Sequence, residues 1–301
     1  MEKASSLFEN LYKCIRQTAL SDPYKAADET YYKILVPEKN SKGKGFRKGY
    51  LWVVVGINTR MIYLLYDDGS RSEKVILNEL GGCKGIIQSD GYSPYRKLES
   101  DAYPHITRIP CLQHIKRKFI DSGENDPDVK RSVELINKLY QNEHKHKVGV
   151  EGWTVEQNLM HRKKYAPDIL GEIKDVLDDI EERGDLLPKS ELKEAITYLR
   201  NEWNAVVDIF NYGDTYLDNN IVERMNRYIS LSRKNSLFFG SHKGAERGAI
   251  LYTIALTCRM HKVNLFEYLT DVINRTAEWQ PNTPIEKYRE LLPDRWKKTN
   301  D

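Results

Sequence analysis

The sequence has few cysteines, and none of them forms a C-x-x-C pair. The four are Cys14, Cys83, Cys111 and Cys258. Such scattered thiols exclude a disulfide-rich scaffold and favour a reducing, cytosolic compartment. Charged residues occur throughout the start of the chain, so no secretory signal peptide is predicted. No apolar run approaches membrane-spanning length, so we expect no membrane partner.

The bulk composition is that of a globular protein with an uneven distribution of charge. The chain has 301 residues, of which 40% are apolar and 30% are charged, with a net charge of +3. This allows one large domain or two smaller ones. Eight acidic and two basic residues fall in 166–185, whereas basic residues cluster in NSKGKGFRK, IKRK, HRKK and SRKN. Each cluster alone is typical of a solvated surface, and the four together are compatible with a polyanionic partner without establishing one.

Strands and helices alternate in the first part of the chain. After an amphipathic helix, the strand candidates are YKAADETYYKILV, KGYLWVVVGI, RMIYLLY, KGIIQSD and ITRIPCL. Helices are predicted at RSEKVILNELGG, GYSPYRKL and QHIKRKFI. The near-continuous apolar character of the second and third strands indicates a sheet covered on both faces. This order predicts an α/β fold.

From 127 to 213 the apolar spacing is helical throughout, which predicts an all-helical insertion within the α/β pattern. A helix over LDNNIVERMNRYI follows it. RKNSLFFGS is then predicted as a short extended segment, before helices near 244–261 and 264–275.

Three acidic residues are candidates for metal-dependent phosphodiester chemistry. Asp28 lies within the first predicted strand, Asp90 at the end of a later strand, and Glu223 on a helix. Carboxylates on adjacent strands and a facing helix can hold Mg²⁺, which prefers oxygen ligands. Ordinary structural roles stay open on spacing alone: a strand-edge residue, an Asp-Gly turn, and an i, i+4 pair of Glu223 with Arg227.

A zinc site is a competing possibility. Cys111-x-x-His114 and His144-x-His146 offer zinc-type ligands, although the segment between them has no zinc-ribbon pattern. A buried cysteine and a polar histidine at a strand-to-helix junction explain the first pair equally well.

Six motifs occur in an order that is similar to one known family. They are ADETYYKIL, GIIQSDGYSPY, CLQHIKRKF, LPKSELKEAITYL, YLDNNIVERMNR and SRKNSLFFGSHKGAE. The series resembles the catalytic region of insertion-sequence transposases of the IS-sixty-six family, over roughly residues 5–275. The resemblance implies a DDE recombinase with an RNase H-like mixed sheet flanked by helices and interrupted by the helical insertion. Its catalytic and metal-binding acids fall on Asp28, Asp90 and Glu223.

The function expected from this resemblance is cleavage at insertion-element ends followed by strand transfer into target DNA. Two Mg²⁺ ions per site, replaceable by Mn²⁺, are expected to activate the nucleophile and to stabilise the leaving oxygen. Double-stranded DNA is the expected partner, in the cytosol and nucleoid of a bacterium. The predicted DNA contacts are Asn219, Arg224, Arg227, Arg233, Lys234 and Asn235, and, on weaker grounds, Lys116, Arg117 and Lys118.

Full-length members of the family look longer, with a DNA-binding segment before the catalytic region. The chain is therefore compatible with a catalytic half that uses a separate DNA-binding accessory protein and self-associates on paired ends. The alternatives are a truncated DNA-binding relic or regulator, and a metal-dependent nuclease that does not join strands. The predicted divisions are an N-terminal helix at 1–22, core segments at 23–126 and 214–275, the insertion at 127–213, and a tail at 276–301.

Overall fold

The computed structural model describes residues 8–38, 43, 45–145, 148, 152–277, 279 and 283–297, without the side chains of 144 and 145. The five strands are β1 (Tyr24–Leu35), β2 (Phe46–Gly56), β3 (Ile62–Leu65), β4 (Gly85–Ser89) and β5 (Ile106–Pro110). The helices up to β5 and just after it are α1 (Glu9–Ser21), α2 (Glu73–Leu80), α3 (Ser93–Arg96) and α4 (Leu112–Asp121). A 3₁₀ turn at Lys97–Glu99 follows α3.

The later part of the described chain is helical. Its elements are α5 (Pro127–Lys145), α6 (Val155–Glu182), α7 (Glu191–Ile209), α8 (Asn220–Ser232), α9 (His242–Met260), α10 (Leu265–Thr276) and α11 (Ile285–Tyr288). A 3₁₀ turn at Arg289–Leu291 follows α11. None of the described helices has the combination of length and apolar character that crossing a membrane requires.

The five strands form one sheet in the order β3-β2-β1-β4-β5. β1 pairs antiparallel with β2, where Asp28 lies opposite Val53, and β2 pairs antiparallel with β3. β1 is therefore the central strand, with the hairpin on one side and β4 on the other. This α/β architecture confirms the predicted fold class, and the strand order agrees with the RNase H-like sheet that the resemblance implies.

The middle of the sheet is covered on both faces, as its apolar sequence predicts. Residues 51–55 of β2 are all fully buried, although successive side chains point to opposite faces. On one face, hydroxyl groups of α9 bond the backbone of β3: Leu64 N–H donates to Thr253 Oγ1 at 2.9 Å, and Thr257 Oγ1 donates to Ile62 O at 2.9 Å. These bonds fix α9 against the hairpin.

The chain divides into two compact units. The first unit consists of Met1–Ile87, Ser93–Ile106 and Asn220–Asp301, and the second consists of Gln88–Tyr92 and Thr107–Asn219. Between α4 and α8 the described residues contain helices and no strand, which confirms the helical insertion of the fold class. The domain boundaries proposed from the sequence stay a prediction.

The segment predicted as a C-terminal tail packs within the first unit. Tyr268 Oη donates to Leu291 O at 2.9 Å, and Trp296 Nε1 donates to Asp271 Oδ2 at 2.7 Å. Leu291 and Leu292 are buried. The described residues of this segment therefore contribute to the core of the first unit.

Candidate active site

Asp28 lies near the middle of β1, on the face toward α8. Its Oδ2 accepts a hydrogen bond of 2.6 Å from Asn226 Nδ2, and its Oδ1 accepts one of 2.8 Å from the backbone N–H of Glu29. Each oxygen of the Asp28 carboxylate therefore accepts a hydrogen bond that orients the side chain. The contact with Asn226 also fixes where α8 crosses the central strand.

The apolar face of α8 packs in the first unit and includes an asparagine. Val222, Met225 and Ile229 are buried, and Asn226 is only 9% exposed. The helical spacing of the apolar residues Val222, Met225 and Ile229 predicts that Asn226 lies on the opposite, polar side, and this prediction is wrong. A hydrogen bond to a carboxylate compensates the burial of an amide, which apolar periodicity cannot anticipate.

Glu223 lies one helical turn before Asn226 and is half-buried. Residues three apart on a helix are neighbours on its surface, with Cβ atoms about 5–6 Å apart. Because Asn226 contacts Asp28, the same helical face brings Glu223 toward β1. The helix begins at Asn220, so Asn219 occupies the position before its first residue.

The oxygen atoms on this face are of the kind that bind a hard divalent cation. Carboxylate and amide oxygens are the ligands that Mg²⁺ and Ca²⁺ prefer. Asn226 Oδ1 is buried, and no hydrogen-bond partner for it exists among the described residues. An inward-facing amide oxygen beside an oriented carboxylate is the arrangement that a bound cation would satisfy.

Asp90 belongs to the second unit and directly follows the last residue of β4. Its Oδ1 accepts a 3.0 Å hydrogen bond from the backbone N–H of Tyr92, which closes a tight turn. The backbone N–H of Gly91 donates to Tyr198 Oη at 2.8 Å, and Arg108 Nη1 donates to Asp90 O at 3.2 Å. The turn is thus held by β5 and by a helix of the insertion.

A buried ion pair lies behind this turn. The side chains of Arg108 and Glu202 form a salt bridge and are both fully buried. Burial, and then the negative charges of Glu202 and Asp90, raise the pKa of Tyr198. A Cβ on Gly91 would lie 2.4 Å from Tyr198 Oη, so any other residue at this position would have to displace the tyrosine side chain.

The segment that precedes α8 is anchored by a second buried arginine. Arg162 Nε and Nη2 each donate to the Glu143 carboxylate at 2.7 Å, and Nη2 also donates to Thr215 O at 2.6 Å. Arg162 is fully buried. The HRKK cluster was predicted as part of a basic surface, but this arginine belongs to the interior of the second unit.

The residues predicted to contact DNA differ in accessibility. Arg224 and Arg227 are exposed on α8, and Lys234 and Asn235 are exposed in the turn after it. The side chain of Asn219 is fully buried, which argues against the phosphate contact predicted for it.

The weaker DNA candidates lie on α4 in the second unit. Lys116 is half-buried, whereas Arg117 and Lys118 are exposed. Lys118 Nζ lies 4.8 Å from the ring centroid of Tyr198, the residue that contacts the Asp90 turn. This places one positive charge close to the residue that contacts the Asp90 turn.

Of the two zinc-type ligand pairs, the structure describes only Cys111 and His114. Cys111 precedes α4, and its Sγ accepts a 3.4 Å hydrogen bond from the backbone N–H of Asn219. All four cysteines are buried and none is in a disulfide. The side chain of His144, and His146 altogether, lie outside the described residues, so that ligand pair is not tested.

The family model described as "Transposase IS66 family" matches residues 1–247 of the chain. The chain belongs to the IS66 transposase family. The matched range includes Asp28, Asp90 and Glu223, and it ends within α9. The resemblance inferred from the six motifs is confirmed.

Relatives of this IS66-family chain occur in Sinorhizobium fredii (strain NBRC 101917 / NGR234). The uncharacterized protein y4hP is 30% identical over 254 residues, and y4qI is 30% identical over 275 residues. These alignments cover 79% and 86% of the chain but only 44% and 49% of the relatives. The chain therefore spans less than half the length of the curated relatives it matches.

A solved structure of the HTLV-2 integrase catalytic core domain, in complex with magnesium, is also similar. The match has 16% sequence identity and a TM-score of 0.21, and covers 44% of the chain and 93% of the integrase domain. At that TM-score the likeness adds nothing to the family assignment.

Sequence reasoning missed the residues that orient the acids. Each of four residues bonds to one of the predicted acids, to the turn that contains it, or to another of the four: Asn226, Tyr198, Arg108 and Glu202. The available signal was a charged residue inside an otherwise apolar element: Arg108 in ITRIP, and Glu202 within the apolar stripe of α7. Such residues are buried only when paired, so each one predicts a partner.

Proposed function

We propose that this chain is the catalytic region of a DDE-type DNA transposase, which cleaves DNA at insertion-element ends and transfers the strand to target DNA. The observation that supports it best is the Asn226–Asp28 hydrogen bond of 2.6 Å. It brings the helix with Glu223 against the strand with Asp28, inside a chain of the transposase family. Asp90 directly follows β4 and is the third acid of the proposed set.

In this proposal the three carboxylates hold the divalent ions, and their neighbours keep them in place. Two bound Mg²⁺ ions, or Mn²⁺ ions, would stabilise the charge on the attacking and leaving oxygens of a phosphodiester. Asn226 fixes the side-chain orientation of Asp28, and the Tyr198 and Arg108 contacts fix the backbone at Asp90. Such preorganisation limits how far the acids reorient when substrate binds.

The exposed cations of α8 and the following turn supply contacts to the DNA backbone. Arg224, Arg227 and Lys234 are exposed next to the helix of Glu223. Phosphate contacts of this kind position the duplex without reading its sequence. Lys234→Gln should weaken binding equally for all duplexes, and should reduce the slope of log K against log salt by about 0.9 per lost contact.

The test of this function uses the purified chain, Mg²⁺ or Mn²⁺, and labelled duplexes taken from the DNA on either side of the gene. Asp28→Asn and Glu223→Gln are expected to abolish cleavage. Glu246→Gln, which alters an exposed carboxylate on α9, is the matched control and should cleave like the parent chain. A joined product supports transposition, a cut product alone supports a nuclease, and intact bound duplex supports a non-catalytic relic or regulator.

Metal binding is measured apart from catalysis. A cation that binds the folded state raises the thermal midpoint by mass action, in proportion to ln(1 + [M]/Kd). Mn²⁺ is expected to raise the Tm of the parent chain and of Glu246→Gln. The rise in Tm should be much smaller for Asp28→Asn. An equal rise in all three proteins would remove Asp28 from the metal site.

A further inference from the structure

The outward face of the β1–β2 hairpin differs from the face that contains Asp28. Side chains alternate along a strand, so Tyr31 and Lys33 point away from the face of Asp28. Their directly paired residues on β2 are Tyr50 and Lys48. Tyr31 is 39% exposed, and both lysines are exposed. Two aromatic and two basic side chains thus alternate on one surface.

Cations flank the exposed ring of Tyr31. Lys48 Nζ lies 4.5 Å from its centroid, and Arg233 Cζ lies 4.3 Å from it. Arg233 comes from the turn after α8 and also donates to Tyr31 O, so that turn is attached to this strand. In a cation–π contact the cation lies over a face of the ring, so a base that stacks on Tyr31 displaces one of these cations, which is then free to contact a backbone phosphate.

The segment after that turn adds another exposed aromatic residue to the same face. Phe239 N–H donates to Lys33 O at 2.8 Å, and Leu35 N–H donates to Phe239 O at 2.8 Å, so the segment extends the sheet beside β1. The Phe239 ring packs on the Tyr32 ring with centroids 4.2 Å apart, on the inner face. Because adjacent side chains of an extended segment alternate, Phe238 points to the outer face, where it is 46% exposed.

The charge of this surface is positive. The acid of β1 nearest to it on the same face is Glu29, whose side chain is only 5% exposed and is paired with Arg71. An apolar protein partner would have to desolvate Lys33, Lys48 and Arg233 without opposing acids, which is costly. A nucleic acid strand offers both complements, phosphates for the cations and base faces for the rings.

We propose that the aromatic–basic face, formed by Tyr31, Lys33, Lys48, Arg233 and Phe238, binds unpaired DNA. The rings of Tyr31 and Phe238 stack on bases, and the three cations contact the backbone of the same strand. The identification of its natural ligand as a single-stranded part of the element-end or target DNA rests on the proposed function. The affinity of this face for single-stranded DNA is a physical property that does not depend on the proposed function.

The test is fluorescence anisotropy with a labelled 15-nucleotide oligo-dT and a 15-base-pair duplex. Loss of a stacking side chain is expected to weaken oligo-dT binding ~5- to 150-fold for Tyr31→Ala and for Phe238→Ala. Tyr31→Phe keeps the ring and should bind like the parent chain. Phe266→Ala is the matched control, because Phe266 is 80% exposed on α10 and is not part of the face. Thermal melts verify that each variant is folded.

The outcomes separate this proposal from the proposed function. Tyr31→Ala and Phe238→Ala variants that bind oligo-dT within twofold of Phe266→Ala would overturn it, whatever the cleavage assay shows. An equal loss of duplex binding, or dissociation of a dimer by Tyr31→Ala in size-exclusion chromatography, would also overturn it. Selective loss of oligo-dT binding supports it, even where the parent chain neither cuts nor joins element-end DNA.

Discussion

Replacement of Arg108 by methionine is expected to destabilise the second unit strongly. The guanidinium and the Glu202 carboxylate are both fully buried, so the substitution leaves a buried carboxylate without its cation. Breaking such a pair by removal of one partner costs about 3–5 kcal/mol. The Arg108→Met variant also loses the hydrogen bond to Asp90 O, which belongs to the turn of a proposed catalytic acid.

The pair is tested by a double-variant cycle. Glu202→Met should also be destabilising, because it leaves a buried guanidinium without its anion. Arg108→Met with Glu202→Met removes both charges, and apolar replacement of a buried pair is often near neutral. The double variant should therefore lose less free energy of unfolding than either single variant. Urea denaturation followed by tryptophan fluorescence measures all four proteins, and Trp203 on α7 is adjacent to Glu202 in the chain.

Two results would refute this reasoning. A single variant within about 1 kcal/mol of the parent chain would show that solvent reaches the ion pair, since exposed pairs contribute ~0–1 kcal/mol. Additive losses in the double variant would show that the two side chains act independently. The cleavage assay adds a functional readout. If the hydrogen bond from Arg108 to the Asp90 backbone positions that acid, a folded Arg108→Met variant should cleave DNA more slowly than the parent chain.

Three further changes test other contacts. Asn226→Ala removes a buried donor to a carboxylate and should cost about 1.5–3 kcal/mol by urea denaturation; an unchanged midpoint would mean that the carboxylate finds water instead. Gly91→Ala should lower the Tm because its methyl group meets Tyr198 Oη, and Tyr198→Ala in the same chain should restore part of the loss; no rescue would place the clash elsewhere. Hydrogen bonding with Lys193 lowers the pKa of Glu181, so the stability lost in Glu181→Gln should be about 1 kcal/mol at most at pH 7. That difference should vanish as the pH falls through the range in which glutamates protonate, and a difference that persists at pH 3 would contradict the ionic origin.

The elements of the sheet were predictable because local sequence determines them. The period-two alternation of side chains in β1 and the apolar run in β2 each favour an extended strand over a helix. Asp28 was placed correctly on a strand, and Asp90 at the end of one, since strand ends follow from the same patterns. The position of an acid within a strand or at its end depends on the few residues around it, so it can be predicted from the local sequence.

The supporting contacts were not predictable, because each one joins residues distant in sequence. Asn226 lies 198 residues from Asp28, and Glu202 lies 94 residues from Arg108. Periodicity classifies a side chain as buried or exposed from polarity alone, so it placed Asn226 on the solvent side. A buried polar group becomes favourable only when its partner is present, and the partner is supplied by the tertiary fold.

The helical insertion has a structural role in the second unit beyond the length that it adds. Its helix α7 supplies both Tyr198, which accepts from Gly91 N–H, and Glu202, which neutralises Arg108. Without α7, Arg108 would lose the carboxylate that neutralises it, and the Asp90 turn would lose its contact to Tyr198. Deletion of the insertion should therefore disturb the turn of the second acid as well as the fold. A transposase that retained the acids but lost these helices would need another buried anion beside β5 to hold Asp90 in place.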